Sequence, residues 1–375
     1  MTPHEDVVQL LRALVRIPSV SGEEDECRDV LAQWMVTHGI QTSLHGRNVI
    51  GIIEGEGEGE AESAGDGAGR GLLYCTHIDV VPVGPGWTRD PWDAALVNGR
   101  IHGRGSNDAK SSVAAMAVAA ARIDRSQLHG RIVLAFVCDE ETGGEGIEAC
   151  RDELPPCDAA VVGEPSELDV CPGQRGLVRA SVTVKGRSCH ASRPHEGVNA
   201  LVGAARDVLA LDALDLGESH PLLGKATLQP TVLHAGTRAN VLPGEAVIDL
   251  DGRPTPACDN ERMLELIDAA TEGELTVKSK RLTPVVTPVD AEIVRIAQAA
   301  SPTGNVRGFG GLSDRVHLSH IPGLVMGPGT SDQSHAPDES VAVAQVTAAV
   351  DAYTKITTAY LAAEAPEKER EQSMS

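Results

Sequence analysis

The residues best suited to chemistry stand where apolar runs end. His77 and Asp79 lie two positions apart, directly after the apolar run 72–75. If this run is a strand, alternate side chains share a face, so both residues leave its carboxyl end in the same direction. A histidine placed in this way can bind a metal beside a neighbouring carboxylate. Taken alone, however, such a pair is more often a surface turn with two polar residues.

Acidic residues occupy corresponding places further along the chain. Glu140 and Glu141 follow the apolar strand predicted at 131–138, Glu164 follows a shorter one, and Asp108 precedes an Ala-rich helix. Each acidic group alone is more often a solvated loop or a helix cap. Ligands of open α/β sheets bind outside the carboxyl ends of the strands. The four positions together therefore predict a functional site at that edge of a sheet.

Length and charge limit the classes of protein to consider. A chain of 375 residues exceeds the usual single core, so two domains are expected, and 41% hydrophobic residues are enough to build them. The 54 acidic residues outnumber the 32 basic ones and give a net charge of −22. This charge opposes binding to nucleic acid or to an anionic membrane. We therefore expect neither as a partner.

The cysteines and the amino terminus point to the cytoplasm. The eight cysteines are scattered without a CxxC pair, and several lie in strand-like apolar runs, which is typical of reduced core thiols. The first residues lack a basic stretch followed by an apolar core, and no apolar run approaches the length of a membrane span. We expect neither a signal peptide nor a transmembrane helix.

The hydrophobic pattern changes along the chain and indicates two kinds of domain. Up to about residue 174, and again from about 283, apolar strands alternate with helices, as in an α/β domain. Between 175 and 282, half-exposed strands and two helices follow in the order β-α-β-β-α-β. This order predicts an inserted two-layer α+β sandwich of the ferredoxin-like type. The domain boundaries are therefore expected at 1–174 with 283–375, and at 175–282.

Several local features belong to this reading of the chain. Ser21–Glu24 is expected to cap a second helix that runs to His38, and a closing helix is expected from about Ser340 to Ala362. The segment 54–69 is rich in Gly and Glu and is expected to form a mobile surface loop. Its glutamates would repel phosphate, so its Gly-x-Gly spacing does not indicate a phosphate loop.

Seven segments resemble the successive motifs of one enzyme family: THIDVVPVG, GRGSNDAKSSVAAM, CDEETGG, VVGEPSEL, SCHASRPHEGVNAL, AGTRANVLPGEAVIDLDGR and GPGTSDQSHAPDE. The family is that of the dinuclear zinc aminoacylases and carboxypeptidases, which includes acetylornithine deacetylase, succinyl-diaminopimelate desuccinylase and glutamate carboxypeptidase. The segments span nearly the whole chain in the family's order, and they look most similar to acetylornithine deacetylase. The resemblance implies a mixed-sheet, metallopeptidase-like catalytic domain, with the inserted domain serving as a lid and dimerisation domain.

The resemblance implies two divalent metal ions, Zn²⁺ with Co²⁺ as a substitute. His77, Asp108 and Glu164 would hold one ion, while Asp108, Glu141 and His335 would hold the other, so that Asp108 bridges them. Carboxylate and imidazole suit such ions, and three protein ligands leave a position open for chemistry. The family also has a cis peptide bond after the bridging aspartate, here Asp108–Ala109.

Catalytic roles follow from the same resemblance. Asp79 matches a carboxylate that receives the other ring N–H of His77, and a plain turn residue is the alternative. Glu140 matches the general base that takes a proton from water and returns it to the leaving amine. In the inserted domain, His190 matches a lid histidine that stabilises the oxyanion and crosses into the partner's site in dimeric members. The nearby His195 is the alternative donor.

Two more residues match positions near the substrate's carboxylate. These are Asn240 and Arg253, and a guanidinium fork suits a carboxylate well. For Arg253 the alternative is a salt bridge at the end of a strand.

The expected function is hydrolysis of the amide bond of an N-acyl amino acid by a cytoplasmic homodimer, with N-acetylornithine as the first candidate. N-succinyl-diaminopimelate desuccinylation is the next candidate, followed by a carboxypeptidase or dipeptidase activity. A non-catalytic binding paralogue usually lacks the base or a ligand, and none is missing here. A serine hydrolase is disfavoured because Gly-x-Ser-x-Gly does not occur.

Overall fold

The computed structural model describes residues 3–56 and 70–362. Most of the expected acidic loop and the charged tail after residue 362 lie outside the described residues, as does Thr2, which the sequence suggests as the first helix cap. The helices are α1 Pro3–Val15, α2 Asp25–Thr37, α3 Lys110–Ala121, α4 Glu145–Cys150, α5 Ala200–Asp212, α6 Asn260–Ala270, α7 Glu292–Ala300 and α8 Val343–Tyr360.

The strands include several short ones that the sequence pattern does not indicate. They are β1 Gln41–His45, β2 Asn48–Glu54, β3 Arg70–His77, β4 Leu96–Val97, β5 Arg100–His102, β6 Gly130–Val137, β7 Ala159–Val162, β8 Val170–Gln174, β9 Leu177–Lys185, β10 Thr227–Ala235, β11 Glu245–Arg253, β12 Glu274–Leu282, β13 Val285–Val286, β14 Val306–Phe309, β15 Gly323–Val325 and β16 Ser340–Ala342.

The described chain divides into two compact units. The first unit contains the residues up to Pro172, Thr287–Arg307, and those from Ser313 onward, and the second unit contains Gly173–Val286 and Gly308–Leu312. The sequence pattern gives no sign that Gly308–Leu312 belongs with the second unit. The domain boundaries expected from the sequence remain a proposal.

The first unit is built on a mixed sheet in the order β1-β2-β6-β3-β7-β15-β8-β13, with β14 pairing to β8. Strands β6, β3, β7 and β15 run parallel to one another, while β2 is antiparallel to both of its neighbours, β1 and β6. β3 and β6 are buried along most of their length, and the residues 72–75 of β3 and 132–137 of β6 are apolar, as expected for strands covered on both faces. Their shared direction places the carboxyl ends of β3, β6 and β7 at one edge.

Helix α3 is buried in the hydrophobic core of the first unit. From Val113 onward it is apolar on all sides, and its residues from Lys110 to Ala120 are buried, which is the pattern of a helix inside a core. Val113 and Met116 of this helix share one hydrophobic core with Leu14 of α1, Leu72 of β3 and Tyr353 of α8. This packing fixes the start of α3, next to Asp108.

The second unit has the predicted ferredoxin-like architecture. Its elements follow as β9-α5-β10-β11-α6-β12, and the antiparallel sheet has the order β10-β11-β9-β12. A separate core joins Val182 of β9 and Ile248 of β11 to Ala204 of α5 and Met263 of α6. The predicted fold class, an α/β domain with an inserted α+β sandwich, is confirmed.

The second helix and the closing helix are both present, but the start of each differs from the prediction. Glu24 stands at the N-cap of α2 without a side-chain capping bond, and the Ser21 hydroxyl bonds to Asp79, so tertiary partners replace the expected cap. The closing helix begins only at Val343, because Ser340–Ala342 pairs with β5 as an antiparallel strand.

All eight cysteines are free thiols, as expected, and six of them are buried. Within residues 3–56 and 70–362, no helix is both long and apolar enough to cross a membrane.

Candidate metal centre

The predicted ligands meet at the carboxyl edge of the parallel strands. His77 ends β3, Glu141 follows β6, and Glu164 follows β7. Asp108 stands just before α3, and the peptide bond Asp108–Ala109 is cis, as expected. The carboxyl ends of neighbouring parallel strands lie side by side, which is why residues distant in sequence converge here.

The distances join the ligands around Asp108. The Nε2 atom of His77 lies 3.4 Å from Asp108 Oδ1 and 3.8 Å from Glu164 Oε1. On the other side, His335 Nε2 lies 3.8 Å from Asp108 Oδ2 and 3.0 Å from Glu141 Oε2. The two oxygens of Asp108 thus face two different histidines, which is the arrangement that a bridging ligand requires.

The charges of this cluster fit bound cations. Glu164 Oε1 is buried and has no hydrogen-bond partner among the described residues. Burial by itself would lower the pKa of His77, but the surrounding carboxylates, Glu164 first, raise it well above its usual value. One atom each from His77, Asp108 and Glu141 lie within 4.8 Å of one another, and the same holds for His77, Glu140 and Glu164. These donors suit Zn²⁺ or a similar ion.

Asp79 supports the centre in a different way from the one expected. The Nδ1 atom of His77 lies 3.0 Å from the backbone carbonyl oxygen of Asp79 and 3.5 Å from its carboxylate, so the carbonyl is the better acceptor. A proton on Nδ1 leaves Nε2 as the ligand atom. The carboxylate accepts the backbone N–H groups of Glu140 and Glu141, each at 3.2 Å, and the hydroxyl of Ser21 at 2.7 Å.

The electrostatics distinguish Asp79 from Glu140. Burial opposes ionisation of Asp79, but the nearby His77 ring and the hydrogen bonds from Ser21 and the Glu140 N–H lower its pKa below the usual value. Burial raises the pKa of Glu140 well above its usual value; His77 opposes this shift, and the neighbouring carboxylates of Asp314 and Glu141 add to it. Carboxylates whose environments push their pKa values apart are typical of sites where one group holds a charge and another moves a proton.

A second acidic cluster beside this site has an arginine side chain as its positive partner. Ligand atoms of Glu24, Cys138 and Asp139 lie within 4.8 Å of one another. Arg47 donates to the carboxylates of both Glu24 and Asp139, with 2.5 Å between Nη2 and Asp139 Oδ2. This cluster is therefore an ion-pair network, and it anchors the residue that precedes Glu140.

His190 and His195 differ in how they are held within the second unit. The Nδ1 atom of His190 accepts the backbone N–H of Ser192 at 3.2 Å and lies 2.7 Å from its hydroxyl. An accepting Nδ1 places the proton of the neutral ring on Nε2, which is then a free donor. His195 is exposed, and its ring makes no hydrogen bond to any described residue.

Asn240 and Arg253 are in different surroundings. Asn240 is exposed, and its carbonyl accepts the N–H of Ala191, so its loop is held next to His190. The Nε atom of Arg253 lies 2.7 Å from Asp251 Oδ1, and its Nη2 lies 3.1 Å from Oδ2. Arg253 therefore makes a salt bridge at the end of a strand, which was the alternative interpretation of this residue. Only part of its guanidinium remains for a ligand.

A family model, the peptidase family M20/M25/M40, matches residues 73–359, most of the chain. The chain belongs to this family. The match takes in all five predicted ligands, and this M20 family member is a metal-dependent amidohydrolase.

Curated relatives of this M20 protein carry several kinds of name, among them succinyl-diaminopimelate desuccinylase, acetylornithine deacetylase and probable carboxypeptidase. The succinyl-diaminopimelate desuccinylase of Parvibaculum lavamentivorans is 29% identical over 96% of this chain and 97% of the relative. The acetylornithine deacetylase of Proteus mirabilis is 26% identical over 90% of this chain and 92% of the relative.

Solved structures share the fold. An M20 family metallo-carboxypeptidase from Sulfolobus solfataricus is 20% identical, with a TM-score of 0.75 over 95% of this chain and 99% of that one. A dinuclear metal-binding peptidase of the M20 family from Bacillus subtilis is 17% identical, with a TM-score of 0.71 over 96% and 98%.

Three residues of this M20 site have no role assigned from the sequence, although the family resemblance implies that the region 311–314 lines the substrate pocket. Asp314 is buried, neither of its carboxylate oxygens bonds to a described residue, and burial raises its pKa to about 7. Arg104 and Glu339 form a buried ion pair beside Asp108. Glu339 follows directly after the His-Ala-Pro-Asp motif, which was the available signal, whereas nothing in the local sequence distinguishes Asp314.

Proposed function

We propose that this protein hydrolyses the amide bond of an N-acyl amino acid with two divalent metal ions. The observation that carries the proposal is the convergence of His77 and His335 on the two oxygens of Asp108, with Glu141 and Glu164 alongside. His77, Asp108 and Glu164 would hold one ion, and Asp108, Glu141 and His335 the other. When bound, two such ions polarise the scissile carbonyl and lower the pKa of water. Zn²⁺ is the proposed native ion.

Glu140 is proposed as the general base. Its carboxylate takes a proton from the attacking water as the new C–O bond forms, and it delivers that proton to the nitrogen as the C–N bond breaks. The products are a carboxylic acid and a free amine. Bound cations would favour the ionised form of Glu140, against the burial that raises its pKa. Asp79 is proposed to fix the backbone from which Glu140 and Glu141 extend.

His190 is proposed to stabilise the oxyanion that forms when water attacks the amide. The hydrogen bond from the Ser192 N–H to Nδ1 supports this role, because it leaves Nε2–H as a donor. His195 remains the alternative donor. Asn240 is proposed to contact the substrate's carboxylate, and Arg253 to assist with the part of its guanidinium that Asp251 leaves free.

A homodimer through the second unit is proposed as the working form. Helix α5 exposes Leu201, Val202 and Leu209, and the edge strand β10 exposes Val232 and Leu233. A contact between two copies of the chain would remove such exposed apolar side chains from water. Sedimentation at increasing protein concentration measures the oligomeric state directly. Eight free thiols support a cytoplasmic location.

Two substrates are proposed candidates. N-acetylornithine is favoured by the motifs quoted above and by the name of the Proteus mirabilis relative. N-succinyl-diaminopimelate has at least equal support from the names of the relatives in Parvibaculum lavamentivorans and Rhodospirillum rubrum. A panel of N-acetyl and N-succinyl amino acids and dipeptides tests the proposal through kcat/KM. Hydrolysis of dipeptides alone would contradict the deacylase assignment in favour of a peptidase.

A further inference from the structure

A buried ion pair lies directly behind the proposed bridging ligand. Arg104 Nη1 donates to Glu339 Oε2 at 2.6 Å, and the two side chains are only 3% and 0% exposed. Removing two charges from water is costly, and an apolar pair of similar size is often no less stable. A buried pair at this place therefore suggests a role beyond stability.

The other carboxylate oxygen of Glu339 accepts hydrogen bonds from the segment that carries Asp108. Oε1 accepts the backbone N–H of Asn107 at 2.9 Å and that of Asp108 at 3.1 Å. The backbone of Glu339 is also held, because Gly103 N–H donates to its carbonyl at 2.9 Å and the next residue, Ser340, pairs with β5. The carboxylate is thus a fixed point from which Asp108 is oriented.

Arg104 extends the connection to a second ligand. Its Nη2 atom donates to the backbone carbonyl of His335 at 3.3 Å, while Nη1 donates to Glu339. The guanidinium lies 5.3 Å from the ring centroid of Trp87, within the range of a cation–π contact. One planar guanidinium therefore holds both ligand segments. Nη1 acts on the Asp108 segment through Glu339, and Nη2 acts directly on the His335 segment.

We propose that Glu339 and Arg104 are positioning residues for the metal centre. Glu339 sets the orientation of Asp108, which is proposed to serve both ions, and Arg104 sets the spacing between Asp108 and His335. This inference rests on the proposed function only in assigning Asp108 and His335 as ligands. Outer-shell partners of this kind typically change metal affinity about 10–100-fold when they are altered.

The test is metal binding by the full-length protein, measured by competition with a chromophoric chelator and by the visible absorption of bound Co²⁺. Glu339→Gln keeps the shape of the side chain but removes its charge. We expect it to weaken the binding of both ions by about 10–100-fold and to change the Co²⁺ spectrum.

Asp207→Asn is the matched control. Asp207 is also a buried carboxylate that accepts two consecutive backbone N–H groups, from Glu272 and Gly273 at 3.0 Å each, and all three residues belong to the second unit. We expect this variant to lose thermal stability and to bind both ions as the wild type does.

Arg104→Lys is the second variant, and it decides the question if Glu339→Gln does not fold. Lysine keeps the positive charge but cannot reach Glu339 and the His335 carbonyl with two nitrogens of one rigid fork. We expect weaker binding mainly of the ion that His335 holds, because Glu339 keeps its bonds to Asn107 and Asp108.

The outcomes separate this inference from the proposed function. If the wild type binds two ions and the folded variants bind them with unchanged affinity and spectrum, the positioning role is wrong. An equal loss of affinity in Asp207→Asn would also overturn it, since the effect would then be general destabilisation. If the wild type binds no ion, or if His77→Ala leaves binding unchanged, it is the proposed function that fails.

Discussion

The carboxylate of Asp79 accepts the backbone N–H of Glu140 at 3.2 Å, so a residue at the end of β3 fixes the proposed base at the end of β6. The second oxygen of Asp79 does the same for Glu141 and also accepts the Ser21 hydroxyl. One buried carboxylate therefore sets the positions of a proposed base and of a proposed metal ligand.

Asp79→Asn should lower kcat by about 10–100-fold and weaken metal binding, because an amide cannot replace both accepting oxygens. Steady-state kinetics and metal titration on the same preparation measure the two effects. Ser21→Ala, which removes one of the bonds to Asp79 and leaves the backbone donors in place, should have a much smaller effect. Equal losses in both variants would contradict the role of Asp79 in holding the Glu140–Glu141 backbone.

Removal of the metal ions should abolish hydrolysis, and Zn²⁺ or Co²⁺ should restore it, because the carboxylates and imidazoles around Asp108 suit these ions. The measurement is activity after dialysis against a chelator and after stepwise addition of each ion, with metal content determined in parallel. Full activity in a preparation shown to be free of metal would exclude the proposed centre.

Glu140→Gln should still bind about two ions per chain, while kcat falls at least about 10²-fold, because the amide cannot accept the proton from water. Glu141→Gln is the matched variant, since it makes the same change one residue away, and it should weaken metal binding instead. The reverse pattern in a metal titration would require the roles of the two glutamates to be exchanged. This comparison is needed because ligand atoms of Glu140, His77 and Glu164 lie within 4.8 Å of one another, as those of metal ligands would.

His190→Ala should leave the fold and the metal content intact and lower kcat by about 10²–10³-fold, as expected for loss of an oxyanion donor. His195→Ala is the control and should retain most of the activity. Mixing His190→Ala chains with Glu140→Gln chains should restore part of the activity if a partner chain supplies the histidine, since each hybrid dimer then has one site with both groups. Confirmed hybrids without recovery would show that the donor does not act in trans, and normal kcat in His190→Ala would show that it is not the donor.

The hydrophobic pattern of the sequence was sufficient for the fold class, and the family motifs supplied the candidate ligands. Strand β6 is apolar on both faces, whereas β11 alternates between buried and partly exposed residues and β9 does so in part, as in a sheet covered on one face. This difference in the hydrophobic pattern distinguished the two kinds of domain. The polar residues that end those strands had to meet at one edge because parallel strands share a direction. The family motifs added the roles of Glu140 and His190, which remain proposals.

Tertiary structure decided which side chains hold those residues in place. Ser21 and Asp79 are 58 positions apart, and Asp108 and Glu339 are 231 apart, so no helical or strand period relates them. Ser21 has the local pattern of a helix cap, and Glu339 that of an acidic turn before a helix. Their partners exist only once the sheet has brought distant chain ends together, because a hydrogen bond depends on distances in space and a local sequence pattern reports only neighbours along the chain.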